Sequence, residues 1–384
     1  MKLEPVTGDD PRDVLRALKS ALHGAGPALG LGLVSELPGE VRPGTAVVVT
    51  TSGSTGVPKS VVLSRDALTA SALATADRVG EGAWLLALPA SYVAGMQVLV
   101  RSIVADREPA ILSGSFTPQS FTAAASMMAS SDRGQRIPTY TSLVPAQLSR
   151  LLDAADEDRT VLTALRSFET ILVGGQALPP VTLERAETAG ARIVRTYGST
   201  ETSGGCVYDG VPLRGVNLRV LRGEVQVSGP VLAEGYLGNG ELTDAAFPRS
   251  PDGTRWYRTG DAGLLEDGVL RVRGRIDNVI VSGGVNVSLD RVERIVRTVA
   301  GLTDAVVVGV PDERWGEASV VVATRGESLR RSESIQLEEA RAAVKEAIGA
   351  HARPARLVLV DELATLPSGK PDREAIRRAV AALH

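Results

Sequence analysis

A loop rich in glycine and hydroxyl groups that ends in a lysine carries the clearest chemistry in this sequence. It reads Thr-Ser-Gly-Ser-Thr-Gly-Val-Pro-Lys over residues 51–59 and directly follows a β-branched run at 46–49. Glycines let successive N–H groups turn toward an anion, the hydroxyl groups add donors, and the lysine adds a full positive charge. The loop therefore predicts a site for nucleotide phosphates. Its predicted binding residues are Thr51, Ser52, Gly53, Ser54, Thr55, Gly56 and Lys59.

Two other structures could produce a loop of this composition. The Walker phosphate-binding motif requires glycine immediately before the lysine, and Pro58 occupies that position here. Because proline lacks a backbone N–H and has a fixed φ, the loop disfavours the Walker form and a kinase- or GTPase-like function. A mobile linker is the second alternative, but such linkers do not ordinarily follow a strand of the buried type.

Length and composition are those of a soluble globular protein with two or three domains. The 384 residues are 43% hydrophobic and 23% charged, and the net charge is −3. No basic cluster indicates a nucleic-acid partner, and no segment reaches the roughly 18–20 continuous apolar residues of a membrane span. The N-terminal residues lack the apolar stretch of a signal peptide. We therefore expect a cytoplasmic protein with neither nucleic-acid nor membrane partners.

Cysteine and histidine usage limits the available chemistry. The single cysteine, Cys206, excludes an intrachain disulfide and a cysteine-based zinc cluster. The three histidines, at 23, 351 and 384, are too dispersed for a recognisable metal site. No histidine lies near Cys206 in the sequence, so a buried inert thiol is predicted there. Catalysis should use carboxylates, lysine, hydroxyl groups or backbone dipoles.

The pattern of apolar and polar residues changes twice along the chain, which predicts an α/β fold in three parts. Up to about residue 210, short apolar runs alternate with amphipathic stretches, as in layered α/β sheets with ligand loops at the strand ends. From about 211 to 276, apolar and polar residues alternate around glycine-containing turns, which predicts a β subdomain. These two parts form the predicted large lobe (1–276). The C-terminal block (277–384) is predicted as a small, separate α+β domain.

Individual elements can be predicted from hydrophobic periodicity and helix-start residues. Strands are predicted at 46–50, 84–88, 110–112, 139–143, 170–173, 192–196, 305–310 and 318–323. Helices are predicted at 66–78, 93–104, 118–129, 145–154, 180–189, 289–299 and 336–348. Hairpins are predicted within 218–229 and 263–273.

Two turns that follow predicted strands carry groups suited to adenine and a metal ion. The turn at 174–176, Gly-Gly-Gln, allows the backbone to approach a ligand closely. The segment 197–202 reads Tyr-Gly-Ser-Thr-Glu-Thr, in which Tyr197 can stack on a purine and Glu201 can hold Mg²⁺ against phosphates. Taken alone, the first is also an ordinary tight turn and the second a polar turn with a solvated glutamate.

Three charged motifs follow toward the C-terminus. Tyr-Arg-Thr-Gly-Asp ends at Asp261, which can accept two hydrogen bonds from a ribose diol. In Gly-Arg-Ile-Asp at 274–277, Arg275 can reach a ribose or phosphate. Leu-Pro-Ser-Gly-Lys ends at Lys370 on a glycine-containing loop. A single surface lysine is usually only solvated, so the order of the motifs is more informative than any one of them.

That ordered set resembles the adenylate-forming superfamily of acyl-CoA synthetases, peptide-synthetase adenylation domains and luciferases. The resemblance covers about residues 45 to 375 and rests on five motifs, Thr-Ser-Gly-Ser-Thr-Gly-x-Pro-Lys, Tyr-Gly-x-Thr-Glu, Tyr-Arg-Thr-Gly-Asp, Gly-Arg-x-Asp and Pro-x-Gly-Lys. It implies a small C-terminal domain that rotates about Asp277 between two half-reactions. In the first, a substrate carboxylate attacks the α-phosphate of MgATP and gives an acyl-adenylate and pyrophosphate. In the second, a thiol attacks the acyl carbonyl.

The resemblance also implies a role for each motif. Residues 51–56 and Lys59 would hold the β- and γ-phosphates, while Thr200 and Glu201 would hold the α-phosphate and Mg²⁺. Lys370 would bridge the attacking carboxylate and the α-phosphate, where its charge offsets the charge that develops. The residues implied at the adenine and ribose are Gly174, Gly175, Gln176, Tyr197, Asp261 and Arg275, and Gly198 is also implied to bind ATP. Those implied at the pantetheine of CoA, after rotation, are Ser282, Gly283 and Gly284.

Within the superfamily, the chain is similar to the 2-succinylbenzoate:CoA ligases of menaquinone biosynthesis. The similarity lies in the abbreviated region before residue 51 and in the segments 88–101, 141–148 and 204–209. It implies a small carboxylic acid, ATP and CoA as substrates and Mg²⁺ as cofactor. Many relatives have an aromatic-histidine pair where this chain has Ser91 and Tyr92. The residues predicted to contact the acyl substrate are Tyr92, Gln97, Arg101 and Ser142.

Three alternatives remain open from the sequence. The chain could be another short aryl- or fatty-acyl-CoA synthetase, or a stand-alone adenylation enzyme that loads a carrier protein. It could also be a catalytically silent member used for binding or regulation, although the intact Glu201, Asp261 and Lys370 disfavour this. A homodimer is one of the assemblies that the sequence leaves open.

Overall fold

The structure is a computed structural model that describes residues 1–6, 10–32, 39–51, 58–128, 131–132, 134–325, 333–366 and 369–383. Its strands are, in chain order, β1 (Leu3–Pro5), β2 (Ala28–Leu31), β3 (Thr45–Thr51), β4 (Lys59–Ser64), β5 (Ala83–Leu86), β6 (Ala110–Ile111), β7 (Ser131–Asp132), β8 (Gln135–Arg136), β9 (Thr139–Leu143), β10 (Thr170–Val173), β11 (Ile193–Ser199), β12 (Gly204–Tyr208), β13 (Val211–Pro212), β14 (Asn217–Leu221), β15 (Glu224–Ser228), β16 (Gly235–Tyr236), β17 (Tyr257–Glu266), β18 (Val269–Arg275), β19 (Val279–Ser282), β20 (Val285–Ser288), β21 (Val306–Asp312), β22 (Gly316–Thr324) and β23 (Arg356–Val360).

Helices connect and cover these strands. They are α1 (Pro11–Leu22), α2 (Arg65–Val79), α3 (Val93–Val104), α4 (Pro118–Ser126), α5 (Pro145–Ala155), α6 (Arg159–Ser167), α7 (Pro180–Thr188), α8 (Gly240–Ala246), α9 (Leu289–Val296), α10 (Glu333–Ala347) and α11 (Arg373–Ala381), with 3₁₀ turns at Thr200–Thr202 and Ala350–Ala352. Among the described residues, none of these helices is both long and apolar enough to cross a membrane.

A seven-stranded sheet carries most of the strands predicted in the large lobe. Its order is β13-β12-β11-β10-β9-β5-β6, in which the five strands from β11 to β6 are parallel. Parallel strands need crossover connections, which α3 to α7 provide. Since the carboxyl ends of such strands meet at one edge, the turns after β10 and β11 lie side by side there. The predicted α/β fold class is confirmed.

A five-stranded sheet, β1-β2-β3-β4-β16, holds the flanks of the predicted phosphate loop. Strands β3 and β4 are antiparallel, and Thr51 lies opposite Lys59 in their register. The predicted ligands Ser52, Gly53, Ser54, Thr55 and Gly56 lie outside the described residues. On the other edge of β4, β16 places Tyr236 opposite Val61.

The helix α3 is buried between these two sheets. Its apolar residues Met96, Val98, Leu99 and Val100 have no exposed surface and belong to the large hydrophobic core that both sheets share. A helix that is apolar on all sides is expected only in a core of this kind. A second core on the other face of the seven-stranded sheet packs α4, α5, α6 and α7.

The predicted hairpins and the C-terminal block each contain their own sheet. Strands β14, β15, β17 and β18 form an antiparallel sheet at the place where the alternating pattern predicts hairpins. In the C-terminal block, the order is β20-β19-β22-β21, and β23 pairs with β22. Helices α9 and α10 cover one face of this sheet and α11 covers the other, each with a separate apolar cluster. The boundary at residue 277 stays a prediction.

Several elements differ from the periodicity-based prediction. The first strands β1 and β2, helix α1, strand β4 and helix α6 were not predicted, although α1 begins with a clear N-cap at Asp10 followed by Pro11. Two predicted helices are too long, since α4 ends at Ser126 and α9 at Val296. Helix ends depend on capping and tertiary contacts, which a periodic pattern does not include.

Phe121→Ala should destabilise the large lobe by about 3–5 kcal/mol, the usual cost of deleting a buried phenyl ring. Phe121 has no exposed surface and lies 5.6 Å from the ring centre of Phe168. Urea denaturation checks this. Met127→Ala is the control, because Met127 on the same segment is 85% exposed and should change stability by less than about 0.5 kcal/mol. Equal effects of the two variants would contradict the described core.

Candidate active site

Two glycines keep the turn after β10 open to a ligand. A Cβ atom at position 174 would lie 2.1 Å from Thr196 Oγ1, so only glycine fits there. Gly175 has a φ of +82°, which other residues rarely adopt. Gln176 follows as a half-buried residue before α7. The turn therefore presents backbone rather than side chains at the edge where a nucleotide is predicted.

The predicted ribose residues contact one another across two sheets. The hydroxyl of Tyr197, on β11, donates a 2.6 Å hydrogen bond to Asp261 Oδ2 on β17. Arg275 Nη1 lies 3.4 Å from Asp261 Oδ1 and donates to the carbonyl oxygen of Thr259 at 2.7 Å. Burial raises the pKa of Asp261, while the Tyr197 hydroxyl and Arg275 act in the opposite direction. The structure thus brings Tyr197, Asp261 and Arg275 together, as the sequence analysis expects.

Asp277, the predicted hinge residue, is bound to Arg275. Arg275 Nε and Nη2 donate to the two carboxylate oxygens of Asp277 at 2.9 and 2.8 Å. This two-point bond lowers the pKa of Asp277. One guanidinium group therefore joins the predicted ribose residue Asp261 to the residue at which rotation is predicted.

Glu201 is held in a 3₁₀ turn at the end of β11. The turn is closed by a hydrogen bond from the Ser199 N–H to Thr202 Oγ1 at 2.9 Å. Beside Glu201, the Thr200 side chain is 8% exposed and Gly198 packs against the backbone of Gly204. The placement of Glu201 is thus a product of local hydrogen bonds at the strand end.

Tyr236 orients Glu201 and is a residue that sequence reasoning missed. Its hydroxyl donates to Glu201 Oε1 at 3.0 Å, and its ring centre lies 5.7 Å from Lys59 Nζ. Burial raises the pKa of Tyr236, and the nearby Glu201 carboxylate raises it further. Tyr236 belongs to the two-residue strand β16, and no local pattern marks such a residue as part of a site.

Glu201 fits the ligand set that a magnesium ion prefers. Mg²⁺ binds one or two carboxylates and completes its shell with phosphates and water. The Tyr236 hydroxyl occupies one Glu201 oxygen, and among the described residues none donates a hydrogen bond to the other. No group of three or more histidine, cysteine, aspartate or glutamate residues forms a metal cluster in the described ranges. Glu201 would hold the ion as a single protein carboxylate.

Lys370 reaches this cleft from the C-terminal block. A Cβ atom at position 175 would lie 3.3 Å from Lys370 Cε, and one at Gly369 would lie 3.5 Å from Val144 Cγ2. The surrounding protein lowers the pKa of Lys370 by desolvation, while the carboxylates of Glu201 and Asp261 act in the opposite direction. The side chain remains exposed to solvent, as expected for a group that lines an open cleft. The space next to Gly175, Glu201, Asp261 and Lys370 is called the nucleotide cleft below.

The turn predicted to contact CoA lies away from the nucleotide cleft. Ser282, Gly283 and Gly284 form the β19–β20 hairpin turn, and the Gly283 N–H donates to the Trp315 carbonyl oxygen at 2.9 Å. Gly283 has a φ of +59°, and a Cβ atom there would lie 2.9 Å from the Trp315 ring. Among the described residues, these contacts lie within the C-terminal block. The structure therefore places Lys370 in the cleft, and not this turn.

Three of the four predicted acyl residues lie together next to β12. Gln97 Nε2 donates to the Ser203 carbonyl oxygen at 2.6 Å, and Arg101 Nη1 lies 3.5 Å from Ser142 Oγ. Arg101 Nη2 lies 3.4 Å from the Tyr208 hydroxyl. The fourth residue, Tyr92, is half-buried at the start of α3.

Arg101 is buried without a counterion. It is 6% exposed, its guanidinium stacks 4.8 Å from the ring centre of Trp84, and its Nε has no hydrogen-bond partner. No aspartate or glutamate lies within ion-pair distance of it in the described part of the chain. Burial lowers the pKa of Arg101, while Tyr208 acts in the opposite direction. An unpaired buried cation is costly, so this position suits an anionic ligand.

Cys206 has the inert environment that the sequence predicts. It has no exposed surface on β12, and burial raises its pKa to about 12. The thiol therefore stays protonated near neutral pH and is a poor nucleophile.

Comparison with known protein families identifies the family of the chain. The pattern of the AMP-binding enzyme family matches residues 18–237, and that of the AMP-binding enzyme C-terminal domain matches residues 291–370. The chain belongs to the AMP-binding enzyme family. The resemblance to adenylate-forming enzymes read from the five motifs is thereby confirmed.

Several relatives within the AMP-binding enzyme family are named 2-succinylbenzoate–CoA ligase, while a Mycobacterium tuberculosis relative that is 32% identical over 85% of this chain is named a medium/long-chain-fatty-acid–CoA ligase. The probable 2-succinylbenzoate–CoA ligase of Mycobacterium tuberculosis (strain ATCC 25618 / H37Rv) is 40% identical over 96% of this chain and 95% of its own. The 2-succinylbenzoate–CoA ligase of Geobacillus kaustophilus is 31% identical over 94% of this chain and 76% of its own. The o-succinylbenzoate CoA synthetase of Bacillus subtilis, solved with its acyl-adenylate intermediate, has a TM-score of 0.75 at 22% identity and covers 98% of this chain and 88% of its own. It shares the fold.

Tyr197→Phe should lower the free energy of unfolding at pH 7 by about 1–3 kcal/mol, because it removes a donor from a buried carboxylate. The loss should shrink near pH 4, since burial favours the protonated form of Asp261 and a neutral acid needs the donor less. Denaturation at both pH values checks this. Tyr140→Phe is the control, because its hydroxyl donates to the Val79 carbonyl oxygen at 2.8 Å and its effect should not depend on pH. The same pH dependence in both variants would refute the assignment to Asp261.

Proposed function

We propose that this chain is an ATP-dependent acid:CoA ligase that converts 2-succinylbenzoate, ATP and CoA into 2-succinylbenzoyl-CoA, AMP and pyrophosphate in menaquinone biosynthesis. The observation that carries the proposal is the convergence of Lys370, Glu201 and Asp261, from separate parts of the chain, on one cleft. Relatives named 2-succinylbenzoate–CoA ligase, which align over most of the chain, support the choice of acid.

The first half-reaction follows from the charges of the nucleotide cleft. Tyr197 and the 174–176 turn would line the adenine pocket. Asp261 would accept hydrogen bonds from the ribose hydroxyls, and Tyr197 and Arg275 hold the Asp261 carboxylate in place. Lys370 lies between the acid carboxylate and the α-phosphate and offsets the negative charge that builds as the carboxylate attacks. When bound at Glu201, Mg²⁺ supplies charge neutralisation for the phosphates. Lys59, the first residue of β4, would bind the outer phosphates.

Arg101 provides the recognition of a diacid. 2-Succinylbenzoate carries two carboxylates, of which one reacts with ATP. The second needs a counterion, and Arg101 is a buried cation without one. Ser142 Oγ lies 3.5 Å from Arg101 Nη1, and one turn earlier on the same helix the buried Gln97 Oε1 atom has no hydrogen-bond partner, so both side chains could bond to the same ligand. A monocarboxylic acid would leave Arg101 unpaired, which favours the diacid.

The second half-reaction requires a different arrangement of the C-terminal block. Thiol attack needs Lys370 withdrawn and the 282–284 turn near the acyl carbonyl. A rotation at Asp277 would move Lys370 out of the nucleotide cleft and bring the 282–284 turn into it. The glycines of that turn leave its backbone free of side chains for the pantetheine arm.

Release of pyrophosphate tests the function directly. The purified chain, offered ATP with 2-succinylbenzoate, benzoate or a medium-chain fatty acid, should release pyrophosphate fastest with 2-succinylbenzoate. Preference for benzoate or the fatty acid would favour another acyl-CoA synthetase. Release without any thioester when CoA is added would favour an enzyme that loads a carrier protein, and no release with any acid would favour a silent member of the family.

Arg101→Gln should lower kcat/KM for 2-succinylbenzoate by roughly two orders of magnitude, the scale of losing one partner of a desolvated charge pair. Activity with benzoate should change less than about tenfold. Steady-state kinetics with both acids check this. Ser102→Ala is the control, because the neighbouring Ser102 hydroxyl bonds only to the Val98 carbonyl oxygen of its own helix. Equal losses for both acids would show that Arg101 supports the core and not the second carboxylate.

Lys370→Ala should slow pyrophosphate release by roughly 10²- to 10³-fold and leave thioester formation from supplied acyl-adenylate largely intact. The protonated amine is the active form and desolvation lowers its pKa, so adenylation should decline with rising pH before an ordinary lysine would titrate. Rate–pH profiles of the parent and variant check this, because the variant should lack that decline. Lys345→Ala, at an exposed lysine of α10, should change neither step.

A further inference from the structure

Helix α9 of the C-terminal block binds the backbone at the end of β18. Asp290 Oδ2 accepts a 2.7 Å hydrogen bond from the Arg275 N–H, and Arg294 Nη2 donates to the Arg273 carbonyl oxygen. Gly274, between Arg273 and Arg275, has a φ of +137°, and a Cβ atom there would lie 2.6 Å from Asp290 Cβ. Only glycine allows the helix to approach the strand this closely.

Asp290 also joins this contact to residues on both sides of Asp277. Its other oxygen accepts from Asn278 Nδ2 at 2.7 Å and lies 3.8 Å from Arg373 Nη2. Arg373 begins α11, three residues after Lys370, and its guanidinium donates to Glu293 Oε2 at 2.7 Å. One carboxylate on α9 therefore touches the end of the large lobe, the segment after Asp277 and the helix that follows Lys370.

The two bonds to β18 belong to the arrangement in which Lys370 occupies the nucleotide cleft. Arg273 and Arg275 precede residue 277, whereas Asp290 and Arg294 follow it. Rotation at 277 moves α9 as part of the C-terminal block, while β18 stays with the large lobe. The rotation that withdraws Lys370 must therefore break both bonds.

We infer that Asp290 and Arg294 form a latch that holds the C-terminal block in the adenylation arrangement. They are positioning residues, since among the described residues neither side chain has a hydrogen bond or ion pair with Lys370, Glu201 or Asp261, and both act through the backbone at 273–275. The inference rests on the proposed function and on the hinge at Asp277. Release of these bonds is part of the passage to the thioester-forming arrangement.

The latch also controls the placement of Arg275. Asp290 holds the main chain of Arg275, and the side chain of the same residue contacts Asp261, Asp277 and the Thr259 carbonyl oxygen. Loss of the latch should therefore reduce adenylation in two ways. It lowers the fraction of molecules in which Lys370 occupies the nucleotide cleft, and it allows Arg275 to move away from Asp261.

Arg294→Ala is the first test, with Arg291→Ala as its matched control. Both arginines lie on α9, but Arg291 donates to the Ala347 carbonyl oxygen within the C-terminal block. With 2-succinylbenzoate, Arg294→Ala should slow pyrophosphate release about three- to tenfold, the range for one charge-assisted bond at a surface. Thioester formation from supplied acyl-adenylate should be unchanged or faster. Arg291→Ala should leave both steps as in the parent chain.

Hydrogen exchange of the Arg275 amide supplies a readout that does not depend on activity. Arg294→Ala and Asp290→Ala should both increase deuterium uptake at 273–276, while Arg291→Ala and Asp304→Ala should not. Asp304 is the matched control for Asp290, because its carboxylate binds Thr324 within the C-terminal block. If Asp290→Ala does not fold, Arg294→Ala alone decides, since Arg294 is an exposed residue.

Distinct results overturn the latch and the proposed function. Unchanged exchange at 273–276, or an equal slowing of both half-reactions in Arg294→Ala, would overturn the latch. Absence of pyrophosphate release in the parent chain would overturn the proposed function instead. The exchange comparison between Arg294→Ala and Arg291→Ala still decides whether the contact holds β18.

Discussion

The charge balance around the Lys370 ammonium group is the constraint on which the rest of the structure depends. Partial desolvation lowers the pKa of this lysine, and nearby carboxylates act in the opposite direction. Glu201, in the turn after β11, and Asp261, within β17, supply that compensation. The two large-lobe sheets must therefore hold these carboxylates near one point, and the C-terminal block must deliver the lysine to it.

Tyrosine hydroxyl groups hold the two carboxylates in place. Tyr197 donates to Asp261 and Tyr236 donates to Glu201, and burial keeps both phenols neutral by raising their pKa. Each tyrosine occupies one oxygen and orients the carboxylate for a cation or a ligand.

A buried helix brings polar groups to the proposed acid pocket. Helix α3 is apolar on nearly all sides, so Gln97 and Arg101 are buried together with it. Hydrophobic packing of Met96, Leu99 and Val100 provides the free energy that keeps Arg101 out of water. The cost of burying this arginine, without a counterion among the described residues, is the basis of the proposal that it binds the second carboxylate of the acid.

The sequence by itself determined the class of chemistry, the α/β pattern and the order of the motifs, because glycine turns, strand periodicity and helix-start residues are local properties. The loops ending at Lys59, Glu201, Asp261 and Lys370 could be found this way. Only the tertiary structure decided that Tyr236 bonds to Glu201 across 35 residues, that Asp290 bonds to the Arg275 backbone and that Arg101 has no carboxylate partner among the described residues. These properties involve residues that are distant in the chain. They arise from the order of strands in the sheets and from the position of the C-terminal block against the large lobe.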